Sequence, residues 1–212
     1  MARPQTDIEA GREQLLDIAD EMVRMRGGVD LSMTDLAAAA NMSPSNLYRF
    51  FENKDALMEA AAGRWFAPKI VIMETITAAE MAPREKMYQF FAQRFVMMRD
   101  QFRDDPKFFE SYLELGEQHF EVVRGYVDLG DHYLAMIVAE AMDAGYLPDL
   151  SIDEAVSLVN QMVQPYCNPE ALLYLDNKLS EKKLSRIIDA IFIGLGQVYD
   201  ASPRSSHVKI VS

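Results

Sequence analysis

Residues 32–54, SMTDLAAAANMSPSNLYRFFENK, decide how the rest of the chain is read. Ser32 is a favourable N-cap, and Asp35 stands where the third helical residue reaches back to it, a capping box. The helix runs through Leu36, Ala37 and Ala40, with small side chains where a second helix can approach closely. Asn41 follows and tolerates the left-handed backbone of a sharp helix exit, which glycine would adopt at lower cost. Ser43 then caps a new helix whose first position is Pro44, where a missing N–H costs nothing. Leu47 and Phe51, four apart, point to one side of it and leave Ser45, Asn46, Tyr48 and Arg49 largely on the other. Two short helices, a tight turn and a polar, hydrogen-bonding face are what a helix-turn-helix presents to DNA.

Charge argues in the opposite direction. The 212 residues carry a net −12, and residues 1–64 hold seven Lys/Arg against eleven Asp/Glu, a net of −4. A nucleic-acid binder usually shows a basic footprint. Between Asn41 and Leu47, however, there is no acid, and Arg49 and Lys54 follow; the acids of this region sit mostly in the first helix, at Asp7, Glu9, Glu13, Asp17, Asp20 and Glu21. A reader of this kind binds non-specific DNA weakly and depends on two-fold symmetry for useful affinity, which points to a dimer.

The remaining chain reads as helix after helix, so the expected class is all-α. Thr6 with Glu9, and Ser151 with Glu154, repeat the capping-box spacing. Gly27-Gly28 ends the first helix; a fourth starts after Asn53, with Pro68 expected to kink or break it. Further helices are expected from Pro83 to about 102, from Asp105-Pro106, over about 119–144 with a stop at Gly145, and from Ser151 to near Pro165. Asn168-Pro169 opens a short one, and the last runs from Ser180 to about Tyr199. No segment alternates with period two long enough for a strand, and no internal repeat is visible. With 50% hydrophobic and 25% charged residues, no 18-residue apolar run and no secretory core in MARPQTDIEAGREQ, the chain is expected to be a cytoplasmic protein without a membrane segment. One cysteine, Cys167, excludes an internal disulfide. Three histidines and one cysteine leave a metal site without support, and no cofactor is implied; no nucleophile–base set or phosphate loop points to an enzyme.

The helix-1 pattern ending in Arg26-Gly27, the block from Ser32 to Ala37, Met42-Ser43, and above all Leu47-Tyr48-x-x-Phe51-x-Asn53-Lys54-x-x-Leu57 make the chain resemble the tetracycline-repressor (TetR) family of bacterial one-component regulators. The resemblance covers residues 6–65; Asn41 departs from the family's usual glycine. It implies a three-helix DNA-binding head over residues 1–65, a helical ligand-binding and dimerisation body over 66–201, and a short polar tail over 202–212. Dimerisation would use the last two long helices, for which Val159, Met162, Ile188, Ile191, Phe192 and Leu195 are the candidates.

By the same match Tyr48 sets its hydroxyl on a phosphate, against the alternative of packing half-buried on helix 1. Lys54 meets a phosphate at the start of helix 4, against a merely solvated lysine. Ser45, Asn46 and Arg49 are the candidates for base edges, Asn preferring adenine and Arg guanine, although Arg49 serves a phosphate equally well. Ser43 and Thr34 complete the DNA set, Thr34 being nearly as well explained as a plain helix-start residue; Phe50 is assigned to the core of the head. In the body, Phe91, Phe95, Met98, Phe109, Tyr112, Tyr133 and Met136 are the candidates for an adaptable apolar pocket, against the ordinary alternative that such stripes are core. His119, His132 and Cys167 read as surface or loop residues.

The expected function is a dimeric repressor on a palindromic double-stranded DNA operator, released by an unidentified small apolar or amphipathic effector. The alternative is a non-transcriptional adaptor or architectural protein that uses the same dimer.

Overall fold

The computed structural model describes residues 5–195, with side chains from residue 8 onward. Ten α-helices and two short 3-10 turns account for it, and no strand occurs among the described residues. The head comprises α1 (Gln5–Arg26), α2 (Met33–Ala39), α3 (Pro44–Leu47) and the first half of α4 (Lys54–Ala78). The body adds α5 (Pro83–Asp104), α6 (Pro106–Gln118), α7 (Phe120–Asp143), α8 (Ile152–Cys167), α9 (Leu172–Leu175) and α10 (Glu181–Gly194).

Side-chain caps start most of these helices. The Ser32 hydroxyl accepts from the Asp35 amide at 3.0 Å, and Asn53 Oδ1 accepts from the Ala56 amide at 2.8 Å. Asp105, Ser151 and Ser180 cap α6, α8 and α10 in the same way. The expected box at Ser32 is only half formed, because the Asp35 carboxylate turns to Arg26 Nη1 at 3.0 Å. Arg26 holds that carboxyl below the usual carboxylate range. Asn41 adopts φ +53° and Gly145 φ +86°, the left-handed exits that the sequence asks for.

Several boundaries differ from expectation. α4 runs unbroken through Pro68 to Ala78: packing on α5, α6 and α7 holds the helix although the proline removes one of its hydrogen bonds. α8 likewise passes Pro165 to end at Cys167. α1 already includes Gln5, so Thr6 lies inside the helix rather than capping it. The expected continuation of the last helix to Tyr199 and the tail at 202–212 lie outside the described residues.

Two apolar clusters organise the chain. One joins α1–α4 around Leu15, Leu36, Leu47, Phe51 and Leu57, and takes in Phe108, Tyr112 and Leu115 of α6. The other fills the body, with α5 packed on α4, α7, α8 and α10. Trp65 touches both: it stacks on Tyr112 with centroids 4.4 Å apart and meets Phe109 edge-on at 5.7 Å. The expected head–body limit at residue 65 thus falls in the middle of a continuous helix.

Candidate nucleic-acid interface and effector cavity

α3 is a single turn, extended by further turns through Phe50. The turn has an apolar underside and a polar top. Leu47 and Phe51 are fully buried, whereas Ser45, Tyr48 and Arg49 are exposed, Tyr48 at 51%. Helix α1 holds this turn from below. Arg12 donates to the Phe50 carbonyl and its guanidinium lies 4.4 Å from the Phe51 ring centroid. Phe50 sits half-buried against the Gly11 backbone, in the core of the head as expected. Tyr48, half exposed, leaves its hydroxyl without a hydrogen-bond partner among the described residues.

Of the other candidates in the head, several already have partners. Thr34 is exposed at the start of α2. The Ser43 hydroxyl caps α3, accepting from the Asn46 amide at 3.3 Å, and lies 3.0 Å from the Ser45 hydroxyl. Asn46 is half-buried and its Oδ1 lies 3.5 Å from Arg49 Nη1, that guanidinium's sole side-chain partner among the described residues. Lys54 reaches Asp30 at 3.2 Å with both side chains exposed, a pair that a phosphate can displace at little cost. The acids of α1 are turned elsewhere: Arg64 of α4 draws in Glu13, Asp17 and Asp20. These acids gather around Arg64 and away from the α3 turn, while the net charge of residues 1–64 stays at −4.

The body contains a cavity of about 300 Å³ between α4, α5, α7 and α8. Of the seven pocket candidates, Phe91 and Met98 line it. The other five are placed elsewhere. Phe95 is fully buried, edge-on to Tyr166, and Phe109 is buried between Trp65 and Phe102. Tyr112 belongs to the head junction, donating to Asp20; Tyr133 donates to Glu74 at 3.2 Å, and Met136 is 45% exposed. Helical periodicity finds inward positions but does not say which inward residue borders a gap. It also passes over two cations that do border it, Lys69 and Arg94. Their signal in the sequence is a charge at an apolar phase: Lys69 stands four residues after Trp65, and Arg94 interrupts Phe91 and Phe95. Lys69 is 4% exposed, its ammonium donating to the Trp65 carbonyl and Gln101 Oε1, each at 3.0 Å. Burial lowers its pKa to about 8. Cys167 also lines the cavity and is exposed at the end of α8, as the surface or loop reading has it.

The dimer candidates need a larger correction. Val159, Ile188 and Ile191 are completely buried and Phe192 nearly so, packed within their own chain; only Met162, at 39% exposure, and the half-buried Leu195 reach the surface. The most apolar face of α8 and α10 is spent on the chain's own core, and the outer faces present Ile152, Met162 and Ile193 instead.

Comparison with known proteins agrees with this architecture. Residues 15–61 match the family described as bacterial regulatory proteins, tetR family, and residues 83–188 match the tetracyclin repressor-like C-terminal domain. The chain is 28% identical over 163 residues, 74% of its length and 78% of the other's, to an uncharacterized HTH-type transcriptional regulator in the dhlA 5' region of Xanthobacter autotrophicus. Among solved structures it is similar to SmeT, the repressor of the Stenotrophomonas maltophilia multidrug efflux pump SmeDEF, with a TM-score of 0.65 at 16% identity over 87% of this chain and 90% of that one. It is also similar to the transcriptional regulator FadR of Bacillus subtilis, solved with stearoyl-CoA, with a TM-score of 0.59 at 19% identity over 86% and 98% of the two chains.

Proposed function

We infer the function from the premise that this chain belongs to the TetR family of bacterial regulatory proteins: it is a transcriptional regulator, acting as a cytoplasmic repressor that binds a palindromic operator as a dimer. The observation that carries the DNA assignment is the two-sided α3, buried at Leu47 and Phe51 and exposed at Ser45, Tyr48 and Arg49. Tyr48 and Lys54 hold phosphates, Arg49 and Ser45 face the groove, and Asn46 contributes from its half-buried position. Ser43 serves first as a cap, and Thr34, exposed at the start of α2, completes the set. Two heads on one duplex read major-groove faces about 34–36 Å apart.

A small effector in the body cavity biases the spacing of the heads and can do so only through unequal affinity for the two forms. The path available to it is α4, which lines the cavity at Lys69 and meets the head through Trp65 and Arg64. Nothing in the geometry favours an adaptor that never touches DNA.

A mobility-shift assay with DNA from around the protein's own gene tests this function. A shift that survives competitor DNA is expected; its absence at low salt ends the repressor reading. Tyr48→Phe and Lys54→Ala should weaken binding to all sequences alike, and Lys54→Ala should lower the slope of log affinity against log salt by about 1. Unchanged operator binding in both would overturn the residue assignment.

A further inference from the structure

Resting on the effector reading above, we infer that the body cavity recognises a small organic anion, a carboxylate on an apolar body, with Lys69 and Arg94 as its counter-cations. A charge withdrawn from water is costly unless an opposite charge or a full set of hydrogen bonds compensates it. The rest of the body observes this rule. Lys86, as buried as Lys69, meets Glu140 at 2.6 Å and the Thr77 carbonyl at 3.1 Å. Arg84, Arg99 and Arg103 pair with Asp189, Glu181 and Asp176 at 2.7–3.1 Å.

Lys69 and Arg94, the two cations at the cavity, have no such partner among the described residues. Lys69 is held by a carbonyl and an amide oxygen and lies 4.3 Å from the Trp65 ring centroid, which leaves one of its three N–H groups without a hydrogen bond. Arg94 donates through Nε to the Phe90 carbonyl at 2.9 Å and through Nη1 towards Met73 sulfur at 3.3 Å and the Tyr126 hydroxyl at 3.4 Å. Its guanidinium lies over the Phe90 ring, 4.1 Å from the centroid, and its Nη2 donates to no described acceptor. Asp131 borders the same cavity but is bound by Asn160 Nδ2 at 2.7 Å and makes no ion pair with Arg94.

Phe90, Phe91, Met98 and Val127 make one stretch of the wall apolar, and Asn160, Gln164 and Asn168 make another polar. Two cations without a carboxylate partner among the described residues, beside an apolar stretch of wall, suit a ligand with a carboxylate at one end and hydrocarbon at the other. A volume of about 300 Å³ stands at the small end of ligand cavities and fits an aromatic acid or a short fatty acid.

The test compares benzoate, phenylacetate, hexanoate and octanoate with their amides, each against sodium chloride at equal ionic strength. Thermal shift and titration calorimetry on the full chain provide the readouts. At least one acid is expected to raise Tm and to bind about tenfold or more tightly than its amide, since charge-assisted hydrogen bonds are the stronger ones. Lys69→Met and Arg94→Met should each erase most of that preference. Equal binding of acid and amide overturns the inference. So does undiminished acid binding in both variants, or a series in which no acid stabilises the protein beyond chloride. The wild-type comparison decides the matter even where a variant folds poorly. None of these readouts uses DNA, so a failed operator shift would sink the regulator reading while leaving anion binding to stand or fall by itself.

Discussion

The Lys69 ammonium is buried with no carboxylate partner among the described residues. Lowering the pKa of Lys69 from 10.5 to about 8 amounts to about 3 kcal/mol against the buried charge at neutral pH. The folded-state value lies below the unfolded one, so as pH falls from 10.5 the unfolded chain takes up the proton first. Stability is therefore lost between about pH 10.5 and 8 and is level below that. Other titratable groups face the same cavity, Arg94 from α5, Tyr126 and Asp131 from α7, Tyr166 and Cys167 from α8. Their contributions largely cancel when the wild type is compared with Lys69→Met. In urea unfolding, the stability difference should move in favour of Lys69→Met by up to about 3 kcal/mol as pH is lowered from 10.5 to 7. A difference that does not change with pH would mean that Lys69 is not desolvated. Sequence reasoning missed this residue because hydropathy scores a lysine as surface wherever it stands, and the helix phase that places Lys69 inward is set by the neighbouring Trp65 and Met73 rather than by itself.

At the level of elements, the head was legible because each of its boundaries is a local event. Ser32, Asn41, Ser43 and Asn53 fix helix starts and exits through their own backbone and side-chain bonds, and the structure uses all four as the sequence suggests. Pro68 and Pro165 misled for the complementary reason: tertiary packing, invisible locally, holds α4 and α8 intact past them. What no local rule announces is how α1 and α3 meet. A Cβ built on Gly11 would overlap Phe50 Cε1 and come within 3.0 Å of its Cζ, so the glycine makes room for the ring that anchors the end of the recognition turn. Gly11→Ala should gain slightly in helix propensity yet lose about 1–3 kcal/mol through overpacking, and should tilt α3. Thermal unfolding reports the first effect and operator affinity the second. The double variant Gly11→Ala/Phe50→Leu should recover most of the loss. Full stability and affinity in Gly11→Ala alone would show that Phe50 moves freely and anchors nothing.

For the whole molecule, charge makes assembly a requirement rather than an ornament. A head with net −4 in a chain of −12 gains little from general attraction to DNA. Of the head's cations, Arg24, Arg26, Lys54 and Arg64 are already paired with acids. One head therefore offers only a few placed contacts, and useful affinity needs two heads held together, so that the second binds as an effectively intramolecular event. The sequence pointed to α8 and α10 for this, but named their most apolar residues, which the fold consumes internally at Val159, Ile188 and Ile191. The surface left for a partner is the outer one, with Ile193 at 65% exposure and Met162 at 39%. Met162→Glu/Ile193→Glu should leave the monomer folded, since neither side chain is buried, and should shift sedimentation from dimer to monomer. Operator affinity should then fall by about a hundredfold or more, and the salt slope should drop to about half, because half the phosphates are engaged. A variant that remains dimeric would move the interface to another face. A variant that becomes monomeric yet keeps its affinity and salt slope would mean that one acidic head suffices, and the charge argument for a dimer would fail with it.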